Sequence, residues 1–132
     1  PKPFKQIASG GEMSRLMLSI KHLLAKKRVL PTLILDEIDT GISGEIAIKM
    51  GQMLSQMGNG HQIIAITHLP QIAAAGSKHW FVYKDHAGSK TVSNLRELID
   101  EERVEEIAKM IGGQQGYRDL LDNVRNLIQS HV

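Results

Sequence analysis

LILDEIDTG, residues 33–41, runs three large apolar side chains straight into a string of acids. A continuous apolar run, Leu33 to Leu35, that stops abruptly at Asp36 and Glu37 reads as a strand buried on both faces. A second run of this kind, QIIAIT, spans Gln62 to Thr67. Between the two, Ile46, Met50, Met53, Leu54 and Met57 recur at helical spacing and stop at Gly58. Upstream, Leu16, Ile20, Leu23 and Leu24 mark another helix, which gives out in the basic stretch Lys26 to Arg28, where cations suit the end of a helix dipole. Strand and helix therefore alternate. That pattern predicts an α/β fold with a largely parallel sheet flanked by helices and with functional groups at the C-terminal ends of its strands.

The rest of the chain adds smaller pieces. In HLPQIAAAG, Pro70 suits the first turn of a short helix. HWFVYK (79–84) and TVSNLREL (91–98), around a turn at residues 87–89, predict a hairpin. Asp100 is placed to cap a helix carrying Val104, Ile107, Ala108 and Ile111 and closed by Gly112 and Gly113. Leu120, Leu121, Val124, Leu127 and Ile128 mark a last helix.

Composition narrows the function classes. A chain of 132 residues with 42% hydrophobic content is large enough for one modest domain with a core. Sixteen basic against 14 acidic residues give a net charge of +2, too even for composition alone to mark a nucleic-acid-coating surface. The absence of cysteine excludes disulfides and thiolate metal sites and fits a reducing compartment. No apolar run approaches membrane-spanning length and no signal-peptide pattern opens the chain, so a cytoplasmic protein with no membrane partner is expected. The opening PKPFKQ lacks a methionine, which suggests a piece of a longer protein.

Three places carry chemistry. Asp36 and Glu37 leave a buried strand side by side, where two carboxylates repel unless a cation or strong donors balance them. A polar turn would explain a lone pair of this kind. Because neighbouring strand residues point to opposite faces, a functional pair would divide the work: Asp36 holding Mg²⁺ with waters retained, Glu37 orienting or deprotonating a water. The second strand ends in Thr67 and His68, and His68 is either a satisfied structural histidine or a hydrogen-bond donor to phosphate. In IASGGEMSRLML, Gly10 and Gly11 stand just before a helix. They either serve a turn needing positive φ or let an anion approach the unpaired N–H groups of the helix start, with Ser9 adding a hydroxyl.

Taken in order, ASGGE, LILDEIDTG and ITHLPQIAA closely resemble the signature motif, the Walker B motif with D-loop, and the switch-histidine loop of ABC-type ATPase heads. Within that superfamily, ASGGEMSRLMLSIK, DEIDTGISGE, ITHLPQIAAAG and RVEEIAKMIGG are most similar to the C-terminal part of the RecN family, SMC-like bacterial proteins of DNA double-strand-break repair. The likeness runs from about Phe4 to Gly113. Ala8 and Glu12 depart from the leucine and glutamine of transporters, and both are at home in RecN-like and SMC-like heads.

The resemblance implies that Ser9, Gly10 and Gly11, in the motif that Glu12 completes, bind the γ-phosphate of ATP held by a second head. It likewise implies that Asp36 serves Mg²⁺, Glu37 activates water, Asp39 lies in the D-loop at the head–head interface, and His68 contacts the γ-phosphate. No G-x-x-x-x-G-K-[ST] phosphate loop occurs in the chain, and AGSKT (87–91) fits only a hairpin turn. In these families that loop lies far N-terminal, across a long coiled coil. The chain is therefore expected to be a single domain, residues 1–132, forming the C-terminal lobe of a head. It would be inactive alone and would need ATP, Mg²⁺, the N-terminal lobe of the same protein, a second head and DNA, the last through the full-length protein. Its sheet is expected to lack the strand that lies between 62–67 and 79–84 in such heads. The alternatives are a head of another SMC-type chromosome-organising ATPase, or a non-catalytic interaction module with the same fold.

Overall fold

The computed structural model describes residues 10–27, 31–36, 39 and 41–132. Ser9, Arg28 and Glu37 lie outside the described residues.

Helix α1, Gly10–Lys27, begins at the glycine pair itself and carries Lys26 and Lys27 in its last turn. Among the side chains described on it, Leu18 is buried, while Ile20 and Leu23 stay at the surface together with Met17.

Strands β1, Thr32–Asp36, and β2, Gln62–Ile66, pair in parallel, with Thr32 opposite Gln62 and Asp36 opposite Ile66. Leu35, fully buried, and the partly buried Leu33, Ile63 and Ala65 face the helices. The other face is open: Ile34 is 63%, Ile64 44% and Ile66 55% exposed. Burial on both faces, expected from the continuous apolar runs, is therefore met on one face only, because among the described residues helices cover a single side. The expected largely parallel sheet is likewise smaller than its sequence pattern suggests. Among the described residues, β1 and β2 form a two-stranded sheet, and β3, His79–Asp85, with β4, Val92–Leu98, forms a separate antiparallel one.

Helix α2, Gly44–Met57, packs across β1 and β2 and ends at Gly58, whose N–H reaches the Leu54 carbonyl at 3.0 Å. Its buried stripe runs through Ala47, Met50, Gly51, Leu54 and Met57, and the expected members Ile46 and Met53 are exposed. The reason is a close approach. A Cβ on Gly51 would lie 2.9 Å from the carbonyl oxygen of Gln71 and 3.2 Å from Cβ of Ala75, both on helix α3, Pro70–Ala75. Two small residues, which hydropathy undervalues, set the packing face.

Helix α3 joins two cores. Ile72 enters the first, with Leu18, Leu35, Ile42 and the α2 stripe. Ala74 enters the second, with Val104, Ile107, Ala108 and Val124 of helices α4, Asp100–Gly116, and α5, Leu121–Gln129. Gly113, at φ 71° and ψ −179°, breaks α4 internally, and a 3₁₀ turn, Tyr117–Leu120, leads into α5. Ile111, expected on the core face, is exposed just before that break. Asp100 does not cap α4. Ile99 holds the cap position and Asp100 is the first helical residue, at φ 48°, a conformation an aspartate tolerates better than most side chains. Arg125 fastens α5 to the start of α4 through Glu101 at 2.7 Å, and also bonds Asp122 at 2.6 Å.

Candidate functional site at the C-terminal end of the parallel strands

The parallel register brings the expected groups to one level. Asp36 closes β1, exposed, directly opposite Ile66, so that Thr67 and His68 emerge from β2 beside it. Asp39, three residues past the end of β1, is the one charged side chain found buried among the described residues, at 2% exposure. Burial of a carboxylate demands donors. The Thr67 hydroxyl donates to Oδ2 of Asp39, the His68 backbone N–H donates to the same oxygen at 3.0 Å, and Nδ1 of His68 lies 3.3 Å from it. The His68 ring itself stands outward, its side chain 76% exposed.

Thr67 works in two directions, since its hydroxyl oxygen also accepts the Leu69 N–H at 3.0 Å. Leu69 is the residue before α3, and its carbonyl accepts the N–H groups of Ile72 and Ala73 at 3.2 and 3.0 Å. Pro70 follows at the first helical position, where a missing N–H costs nothing. The far end of α3 is held from α4. Nη2 of Arg103 donates to the carbonyls of Ala73 at 3.2 Å and Ala74 at 3.1 Å, and to that of Gly76. Burial lowers the Arg103 pKa from its ordinary value, and burial, then the neighbouring Arg103 charge, pushes the His79 imidazole below its own. Arg103 escaped the sequence reading because its acceptors are backbone carbonyls about thirty positions away.

Of the residues singled out in the sequence, Asp36, Asp39 and His68 are gathered at this strand end. Gly10 and Gly11 open α1, and the exposed Glu12 falls in its first turn, where an acid suits the helix dipole. Among the described residues no three or more histidine and acidic side chains form a metal-holding group. No helix among the described residues is long and apolar enough to cross a membrane.

The α/β fold is similar to that of an SMC ATPase structure. A solved structure, from work on the ATP-driven dimerization and DNA-stimulated activation of SMC ATPases, matches with a TM-score of 0.64 at 22% identity, covering 84% of this chain and 66% of that one. In sequence, the chain is homologous along nearly its whole length to RecN DNA repair proteins. It is 39% identical over 127 residues to RecN of Vibrio cholerae, covering 96% of this chain and 23% of that protein. Against RecN of Xylella fastidiosa it is 46% identical over 113 residues, covering 86% and 20%. Against RecN of Deinococcus radiodurans it is 39% identical over 126 residues, covering 96% and 22%. The chain thus spans between a fifth and a quarter of the length of these curated relatives. No protein-family model matches it.

Proposed function

We propose that this chain is the C-terminal lobe, residues 1–132, of a cytoplasmic ATP-hydrolysing head that pairs with a second head around ATP in DNA double-strand-break repair and recombination. The observation that carries the proposal is the gathering of Asp36, Asp39 and His68 at one end of the parallel strand pair in a RecN-like chain. Mg²⁺ would neutralise phosphate charge next to Asp36, and His68, standing outward beside it, would meet the γ-phosphate. Glu37, one residue beyond Asp36, would orient the attacking water. The α1 start at Gly10 and Gly11, with Ser9, would offer its N–H groups to ATP held by the opposing head, with the D-loop around the inward-turned Asp39 at the junction. No phosphate loop occurs within these 132 residues, so the chain alone would neither bind ATP tightly nor turn it over. The remaining lobe of the same protein would supply that loop, and DNA would be engaged by the full-length molecule.

The test uses the full-length protein. Glu37→Gln keeps ATP binding and head pairing while turnover falls by about 10²–10⁴. Ser9→Arg binds ATP but neither pairs nor hydrolyses. Light scattering with ATP, alongside phosphate release, reads both. Normal hydrolysis by Glu37→Gln, or ATP-dependent pairing by Ser9→Arg, would sink the proposal.

A further inference from the structure

We infer that Asp39 is a positioning residue for His68: from inside the fold its carboxylate fastens the turn after β2, so that the imidazole is presented outward beside Asp36. The inference rests on the reading of His68 as the phosphate-contacting group. Asp39 is 2% exposed, and among the described residues its donors come from one turn: the Thr67 hydroxyl and the His68 N–H, with Nδ1 of His68 3.3 Å away. An exposed imidazole with no fixed neighbour would sample several rotamers. Here one ring nitrogen lies against a buried anion that cannot itself move into water, which leaves Nε2 as the nitrogen facing outward.

The anchorage extends along the backbone. Asp39 holds Thr67, Thr67 holds the Leu69 N–H, and α3 begins at the next residue. Arg103 secures the opposite end of that helix through three carbonyls. The two residues on either side of His68 are thus fixed, and the turn can move only if the buried carboxylate loses its donors, which is costly. An aspartate in contact with solvent would satisfy the same donors without setting the turn. Its burial distinguishes a tether from a surface cap.

The experiment is a double-mutant cycle in the full-length protein, with Asp39→Ala, His68→Ala and the pair, reading kcat and ATP affinity separately. Asp39→Ala is expected to lower kcat by about tenfold or more, the usual effect of removing a group that orients a functional side chain. ATP affinity should stay within about twofold, since the phosphate-loop lobe is untouched. In the His68→Ala background, Asp39→Ala should cost no further turnover. Asp39→Asn, which keeps an acceptor oxygen, should recover part of the rate. An equal loss in both backgrounds overturns the positioning role and leaves the head proposal standing. Unchanged turnover in His68→Ala overturns the reading of His68 and the positioning role together. Should Asp39→Ala fail to fold, Thr67→Val removes one donor from the same carboxylate, and its loss of kcat must likewise vanish in the His68→Ala background.

Discussion

Gly51→Ala sets two effects against each other at a place where the structure decides the sign. In an exposed helix interior the change would stabilise by about 1 kcal/mol, because glycine is a poor helix former. At Gly51 the new methyl would sit 2.9 Å from the Gln71 carbonyl oxygen and 3.2 Å from Ala75 Cβ, and both neighbours belong to α3 rather than to the tip of a flexible side chain. Forcing atoms into such a contact costs about 1–3 kcal/mol. The net expectation is a loss of about 1 kcal/mol, which for a domain of this size lowers Tm by roughly 3–5 °C. Thermal unfolding followed by far-UV circular dichroism measures it, with Gln52→Ala on the exposed side of α2 as the control, expected to shift stability by less than about 0.5 kcal/mol. A Gly51→Ala protein more stable than the parent would refute the close approach of α2 to α3. The stakes reach the site, because α3 begins two residues after His68.

Two further outcomes follow from the same geometry. Burial and the Arg103 charge lower the His79 pKa, so the unfolded chain binds more protons than the folded one just below the ordinary value of 6.5. Stability is therefore full above about pH 6.5 and declines as the pH falls below it, and His79→Gln should flatten that part of a Tm-against-pH curve; an unchanged slope would contradict the assignment. The open β1–β2 face, with Ile34, Ile64 and Ile66 exposed, should make the isolated chain self-associate, and Ile34→Lys with Ile64→Lys should shift sedimentation toward monomer. A strictly monomeric parent at high concentration would remove the basis for that expectation.

Much of the architecture was legible because the signals were local. The runs at 33–35 and 62–67 were bounded by acids, glycine and a Thr-His-Leu-Pro turn, and the strands fall there as Thr32–Asp36 and Gln62–Ile66. Gly58 and Gly113 likewise mark breaks that need no tertiary information. What escaped depends on distant partners. The α2 stripe passes through Ala47 and Gly51 because α3 lies close against it, and no hydropathy window contains α3. Asp39 was singled out only through the resemblance, as a D-loop residue at a head–head interface, and its inward turn is set by Thr67 and His68, twenty-eight and twenty-nine positions away. The unbroken apolar character of β1 predicted two covered faces, but the pattern records only that both faces suit burial, and among the described residues one of them is covered.

The central claim is that two heads build each ATP site together, with Asp36, Glu37 and His68 from one head and the Ser9 to Gly11 loop from the other. Mixing full-length Ser9→Arg with full-length Glu37→Gln and measuring phosphate release tests it most directly. Each variant alone is nearly inactive. In a mixed pair, one site combines the intact strand-end residues of the first variant with the intact signature loop of the second. Each mixed pair has one good site of two, whereas pairs of a single variant have none, so the mixture should release phosphate well above the average of the two variants. A mixture no more active than the average of the two variants would contradict a site shared between heads.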